Sequence, residues 1–295
     1  MKMNFKKTCI ALALAGGFVS TANALPTVIS LGGTTATIAD SGLISNTSPV
    51  GLTNTGLEYI NLGTWSSNYT LRDSGGIIAT ADQTIGGGTA DLSNPFSAVP
   101  FGATASAVST SGSFGGWGYL STVTTTVPGH LVYAVTITNN TGAASVGALW
   151  GFGIDPDQGV PGGFGFGTTN VIDGVGLLSS VTATSANGFF ITLKDITAAA
   201  ANLVQPYVDS VCCSPVDPLA MYTAAQLPGS FGFSDSSINL AFTLGKAGVL
   251  QDGESTVLGY ELIMGAVPEP ETYAMFMAGL GLMGFIARRR KNGQD

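Results

Sequence analysis

Few residues of this chain carry side chains able to do chemistry, and their spacing limits what that chemistry can be. His130 is the single histidine and follows Pro128-Gly129 at the start of an apolar run. As the base of a hydrolytic triad it would need a nucleophile, and no Gly-x-Ser-x-Gly elbow occurs in the chain. It reads as a turn histidine without a catalytic part. Zinc of the usual kind is excluded, because one histidine and the adjacent Cys212 and Cys213 cannot supply its ligand spacing. Neighbouring Cα atoms lie ~3.8 Å apart, below the usual ~4.4 Å minimum for a disulfide. The pair therefore leaves three states open: a strained vicinal ring, which is preferred, bridges to other chains, or two free thiols.

Asp155-Pro-Asp157-Gln-Gly159 sets two carboxylates two residues apart, the opening spacing of a calcium loop. An EF-hand would want an acid at its fifth position and glutamate at its twelfth, where this chain has Gly159 and Phe166. Asx-turn chemistry accounts better for the pair. No metal or cofactor is expected, with calcium at Asp155 and Asp157 kept as the weaker alternative. Asp73 with Asp82, and Asp252 with Glu254, offer less. Gly279-Leu-Gly281-Leu-Met-Gly284 matches the dinucleotide fingerprint by letter only, since it lies in an apolar segment with no βαβ unit around it. No catalytic residue is assigned, and the chain is not read as an enzyme.

The elements that must position these residues are strands. Glycine is abundant, 42 of 295 residues, and charged residues are few, yet the body keeps Val, Ile, Leu and Phe in alternating runs, so it is read as folded. The expected strands are 34–39, 57–62, 69–72, 77–81, 105–109, 119–127, 131–138, 148–154, 174–179, 188–194, 238–244 and 255–264. In the run from Leu131 to Thr138, Leu131, Tyr133, Val135 and Ile137 share one face. Leu240, Phe242 and Leu244 do the same, opposite Asn239 and Thr243. Thr197 to Val204 is Ala-rich and predicts one short helix. Many antiparallel strands without a fixed repeat predict an all-β body, a sandwich or jelly roll, with one face of each sheet wet. The Thr-x-Thr patches at Thr35, Thr122 and Thr182 are irregularly spaced and fit those wet faces. Trp65, Trp117, Tyr119, Trp150, Phe164 and Phe166 lie among glycines; half or more are expected in the core or anchoring loops.

The two ends carry addresses. Lys2, Lys6 and Lys7 precede an apolar run from Cys9 to Val19, and Ala22-Asn23-Ala24 closes it as a cleavage site. This is the pattern of a secretory signal peptide over 1–24, with Leu25 the first mature residue. At the other end Val267, Pro268, Glu269 and Pro270 precede an uncharged run from Thr272 to Ala287, closed by Arg288, Arg289, Arg290 and Lys291. Sixteen helical residues cover roughly 24 Å, just short of a ~30 Å hydrocarbon core. The basic cluster is expected to stay cytoplasmic, which places the body, 25–266, outside the inner membrane. The prolines keep the chain before the span extended, in a form a protease groove can take up. Between Leu25 and Val267 only Arg72, Lys194 and Lys246 face fifteen acidic residues, so nucleic acid is excluded as a partner.

The tail resembles the PEP-CTERM sorting signal of Gram-negative bacteria, whose Pro-Glu-Pro triplet, apolar helix and arginine cluster all stand in order within 267–291. The resemblance implies sorting, and processing, by exosortase through a transient inner-membrane anchor. It further implies a place at the cell surface or in the extracellular matrix, with a role tied to exopolysaccharide or biofilm. The same kind of tail also carries the label of an ice-binding protein C-terminal domain, which is no indication of ice binding. Tyr133 to Asp157, with its Thr-Asn-Asn-Thr strand end and Trp-Gly-Phe-Gly-Ile-Asp-Pro-Asp turn, loosely resembles other exported proteins bearing this signal, which have no established activity. The leading reading is a non-enzymatic surface or matrix protein. A lectin-like carbohydrate-binding module, with or without calcium, is the alternative from another class, and a polysaccharide hydrolase a third.

If the leader is read correctly, peptide mass spectrometry of protein recovered outside the cytoplasm finds Leu25 as the first residue. Exported material that still begins at Met1 would refute the assignment.

Overall fold

The computed structural model describes residues 26–45, 51–60, 67–83, 94–197, 203–267, 277–280 and 282–283. The first strands are β1 (Thr27–Leu31), β2 (Thr34–Ile38), β3 (Leu52–Asn54), β4 (Leu57–Glu58), β5 (Ser67–Asp73), β6 (Gly76–Asp82) and β7 (Val99–Phe101). Next come β8 (Ala107–Phe114), β9 (Trp117–Thr124), β10 (His130–Asn139), β11 (Ser145–Val146), β12 (Leu149–Ile154), β13 (Thr168–Asp173) and β14 (Ser180–Ser185). The last are β15 (Phe189–Asp195), β16 (Val204–Asp209), β17 (Gly229–Ser234), β18 (Ser237–Thr243), β19 (Val249–Leu250) and β20 (Ser255–Ala266). Within the described part of the body one α-helix, α1 (Pro218–Ala224), stands between β16 and β17.

Two sheets carry the body. Nine strands run in the order β17-β13-β14-β15-β20-β10-β9-β8-β7, and five in the order β16-β18-β12-β5-β6. Their ladders are antiparallel. A four-stranded sheet, β1 to β4, and the pair β11-β19 complete it. The chain is thus all-β, an antiparallel sandwich.

Period-two alternation decides which side chains fill the space between the sheets. In β10, Leu131, Tyr133, Val135 and Ile137 are buried; in β20, Thr256, Leu258, Tyr260, Leu262 and Met264 are. Two aromatic groups form the middle. Tyr260 lies 4.9 Å from Tyr133 and 4.4 Å from Phe152, centroid to centroid. Tyr69 stacks on Trp150 at 4.5 Å, and Phe96 on Tyr119 at 4.9 Å. On the outer faces hydroxyl pairs bridge neighbouring strands, Thr182 with Thr192 and Ser109 with Thr122, both at 2.9 Å.

The outer face of the five-stranded sheet departs from expectation. Asn239 and Thr243, placed on a wet face by alternation, are buried with the rest of β18. The reason is α1, whose Pro218 and Met221 press on Gly151 of β12: a Cβ there would stand 3.2 Å from each. Arg72 of β5 holds the start of this helix, its Nη1 donating to both carboxylate oxygens of Asp217 at 2.7 and 2.5 Å. Asp217 Oδ1 also accepts from the Leu219 amide at 2.9 Å, capping the helix ahead of Pro218 at its first turn.

Other expectations need correction. Gly174 to Ser179 is not a strand but the turn between β13 and β14, with positive φ at Gly174, Gly176 and Leu178. The helix expected over Thr197 to Val204 is contradicted at its end, because Val204 opens β16; residues 198–202 lie outside the described residues. Strand β16 contains Pro206, which is tolerated because this strand sits at a sheet edge. The span expected over Thr272 to Ala287 is described only at 277–280 and 282–283, which are helical and exposed. Among the described residues no helix is long and apolar enough to cross a membrane. The signal peptide, with Ala22 and Ala24, lies outside the described residues, as do Pro268, Glu269, Pro270 and the basic cluster from Arg288 to Lys291.

Replacing Arg72 by Ala removes both hydrogen bonds to Asp217 and leaves α1 without its tether. Chemical denaturation should show a loss of about 2 kcal/mol. An unchanged midpoint would mean that apolar packing alone seats the helix.

Candidate functional site

The site begins with the sequence of β12, Leu149-Trp-Gly-Phe-Gly-Ile154. Trp150, Phe152 and Ile154 enter the core. The two glycines face the other way, where any side chain would collide: a Cβ on Gly153 would lie 2.0 Å from Asn239 Oδ1. Glycine at alternate strand positions marks a close approach by another part of the chain, here α1 and the β18 amide.

Beyond Ile154 the chain turns at Asp155-Pro156-Asp157-Gln158, and every one of these residues is buried. The turn is held from both sides. The Asp157 amide donates to Tyr59 O at 2.8 Å, Gln158 Nε2 donates to Ala183 O at 2.9 Å, and Asn187 Nδ2 donates to Gln158 O at 2.9 Å. Asp155 and Asp157 are 2% and 1% exposed. Among the described residues Asp155 Oδ1 and both carboxylate oxygens of Asp157 have no hydrogen-bond partner. The Asx-turn reading of this pair is therefore wrong, because in such a turn the carboxylate accepts a backbone amide two residues on. Asp73 shows that pattern, accepting from the Gly75 amide at 2.7 Å.

A third carboxylate joins them. Asp235 lies in the turn from β17 to β18, and each of the three aspartates has an oxygen within 4.8 Å of the others'. Above Asp155 runs the loop from β16 to α1, in which Cys212 and Cys213 are joined to each other with S–S 2.06 Å. Cys213 Sγ stands 3.4 Å from Asp155 Oδ2; a disulfide sulfur has no proton to give it. Asp155, Asp235, Phe166 and the two cysteines line a pocket of about 90 Å³. At roughly 30 Å³ per water this holds a few waters or an ion with some of its hydration, and no sugar ring.

Burial pushes the Asp155 carboxyl far above the usual carboxylate range, with the charges of Asp157 and Asp235 adding to it. Burial raises Asp157 as well, and Asp235 and Glu58 add to the rise. Asp235 is raised by partial burial. Asp155 and Asp157 were legible as a pair in the sequence, and Cys212 and Cys213 as another; only the fold brings the pairs together. Asp235 was missed. Its sole local signal is an acid in the polar turn Ser234-Asp-Ser-Ser237.

The remaining singled-out residues lie elsewhere. His130 Nδ1 is 2.6 Å from Glu261 Oε1, a pair across neighbouring strands β10 and β20. Asp252 accepts from the Gly142 amide at 2.8 Å and Glu254 from the Gln251 amide at 2.8 Å, so both belong to turns. Trp117, Tyr119 and Trp150 are buried, Phe164 and Phe166 are exposed, and Trp65 is outside the described residues. Val267 is the last described residue of its segment, its amide donating to Gly188 O at 2.7 Å.

The fold defines an antiparallel β-sandwich protein with a buried carboxylate turn at one end. Residues 266–291 match the family model of the PEP-CTERM protein-sorting motif. The chain thus carries an exosortase sorting signal, which implies export and a membrane-anchored sorting segment of the Gram-negative type. A comparison with curated protein sequences gives no match. Among solved structures the chain is similar to a protein described as an aldose 1-epimerase from Escherichia coli K12, at 10% identity and TM-score 0.43, over 82% of this chain and 99% of that one. It is similar to an aldose epimerase homologue from C. elegans at 9% identity and TM-score 0.43, over 82% of this chain and 100% of that one. It is also similar to heparan sulfate lyase from Pedobacter heparinus at 8% identity and TM-score 0.39, over 80% of this chain and 30% of that one. Likenesses this distant say nothing of activity.

With chelator present, the raised carboxyls of Asp155 and Asp157 bind protons that the unfolded chain gives up. Their contribution to stability is whole at and below the ordinary carboxylate range and is lost as pH rises through their raised folded values. The thermal midpoint in EDTA should therefore fall from mildly acidic to alkaline pH. Asp155→Asn combined with Asp157→Asn should flatten that fall. An equal slope in wild type and variant would show that other groups carry it.

Proposed function

We propose that this chain is a non-enzymatic surface or matrix protein, a β-sandwich handed to exosortase by its tail and serving an envelope or exopolysaccharide role. The observation that supports this most is the junction. The last strand, β20, ends at Ala266, and the matched motif begins at that residue. Tyr59 Oη donates to Gly265 O at 3.2 Å and the Val267 amide reaches Gly188. The body therefore stays folded up to the residue before Pro268, and the processing enzyme meets a sandwich with no linker between it and the motif.

A calcium-dependent carbohydrate-binding module is the second reading. It is favoured by Phe166 on the rim of the carboxylate pocket, with Phe164 and Phe233 exposed and the Phe233 ring lying over Gly167. Exposed aromatic faces are what such modules stack on sugar rings. The pocket itself is too small for the sugar, so the rings would do the binding around it.

Cells with and without exosortase test the sorting half of this reading. With the enzyme, the chain should leave the membrane fraction with a C-terminus at or near the Pro268–Pro270 triplet; without it, the intact tail should stay in the inner membrane. Identical C-termini in the two strains would end the sorting proposal. Glycan-array binding that disappears in EDTA would favour the second reading.

A further inference from the structure

We infer that Asp155, Asp157 and Asp235 form a binding site for a hard divalent cation of calcium's class, which ties the crossover between the two sheets to the end of β12. The inference goes beyond the sorting role, and its failure would leave that role untouched.

Three carboxylates converge with oxygens within 4.8 Å of one another. Convergence alone is common on protein surfaces, but two of these groups are almost wholly buried. Three of their oxygens, Asp155 Oδ1, Asp157 Oδ1 and Asp157 Oδ2, accept from nothing among the described residues. Buried carboxylates ordinarily take hydrogen bonds or a counter-charge. The ion pairs of Arg72 with Asp217 and of His130 with Glu261 lie outside this cluster. A divalent cation supplies the missing charge and coordinates the orphaned oxygens at once.

The donor set selects the metal. All three side chains offer oxygen, which suits calcium, magnesium and manganese. The cysteines beside Asp155 are not thiolates while they are joined, so a soft metal gains nothing from them. The partly exposed position of Asp235 leaves room for water in the remaining coordination positions, as calcium's six to eight ligands require.

The placement explains what the ion would do. Asp155 and Asp157 follow β12 of the five-stranded sheet, while Asp235 sits where the chain crosses from β17 of the nine-stranded sheet to β18 of the five-stranded one. Bound metal would clamp the two layers at one end.

The full chain, solubilised in detergent and stripped with EDTA, is titrated with calcium chloride by calorimetry and by thermal melting. One ion per chain and a raised melting temperature are expected. Asp155→Asn should abolish both. Asp235→Asn, at an exposed turn that does not endanger folding, should weaken binding about tenfold by removing one charged ligand. Asp252→Asn, in a turn elsewhere, should bind as wild type does. No heat and no shift with calcium, magnesium or manganese would overturn the inference, and so would an Asp235→Asn variant indistinguishable from wild type. Zinc displacing calcium from the oxidised protein would overturn the choice of a hard ion.

Discussion

The pairing of β20 with both β10 and β15 is the constraint on which the rest of the molecule depends. Strand β20 is fifth of nine in its sheet, and the strands on either side of it meet only through it. Its partners are far away in sequence: Leu258 faces Val135, and Leu262 faces Leu193 on one side and Leu131 on the other. Neither half-sheet can close its inner face until the last strand of the body has been placed. Contacts so distant along the chain are slow to form and make the fold cooperative. The sorting motif begins where that strand ends, so the feature that completes the body and the feature that addresses it are covalently adjacent.

The same geometry explains why polar groups are found deep in the five-stranded sheet. Its inner face is ordinary: Trp150, Phe152, Leu240, Phe242 and Tyr69 meet the aromatic residues of the larger sheet. Its outer face is closed by a seven-residue helix, fixed by Arg72 and Asp217, and by the loop holding Cys212 and Cys213. Closing that face buries Asn239 and Asn68 and leaves the Asp155 carboxylate beneath a disulfide that cannot donate to it. A buried carboxylate of this kind either keeps its proton or acquires a cation, and the electrostatics of the site follow from that choice.

Much of the architecture was written in side-chain periodicity. The alternation in β10 was plain because every second residue, Leu131, Tyr133, Val135 and Ile137, is large and apolar, while Ala134, Thr136 and Thr138 between them are small or polar. Gly174 to Ser179 misled because Val175, Leu177 and Leu178 look strand-like, while Gly174, Gly176 and Leu178 itself adopt positive φ and turn the chain. Strand β17, Gly229 to Ser234, is exposed at every position and has no alternation to find. Strand β18 showed alternation but not its consequence, because the element that covers its polar face lies elsewhere in the chain and is itself short and proline-bounded.

By itself the sequence determined the all-β character, the inward face of the long strands and the three-part sorting tail, since each depends on residues close together along the chain. It also held Asp155, Asp157, Cys212 and Cys213 as two separate pairs. Only the tertiary structure decided that these pairs meet, that Asp235 completes the group, and that Asp155 and Asp157 are buried with three oxygens lacking a partner among the described residues. Those facts depend on which strands lie side by side and on what closes over them, and strand order and burial are properties of the assembled sheets rather than of any local stretch.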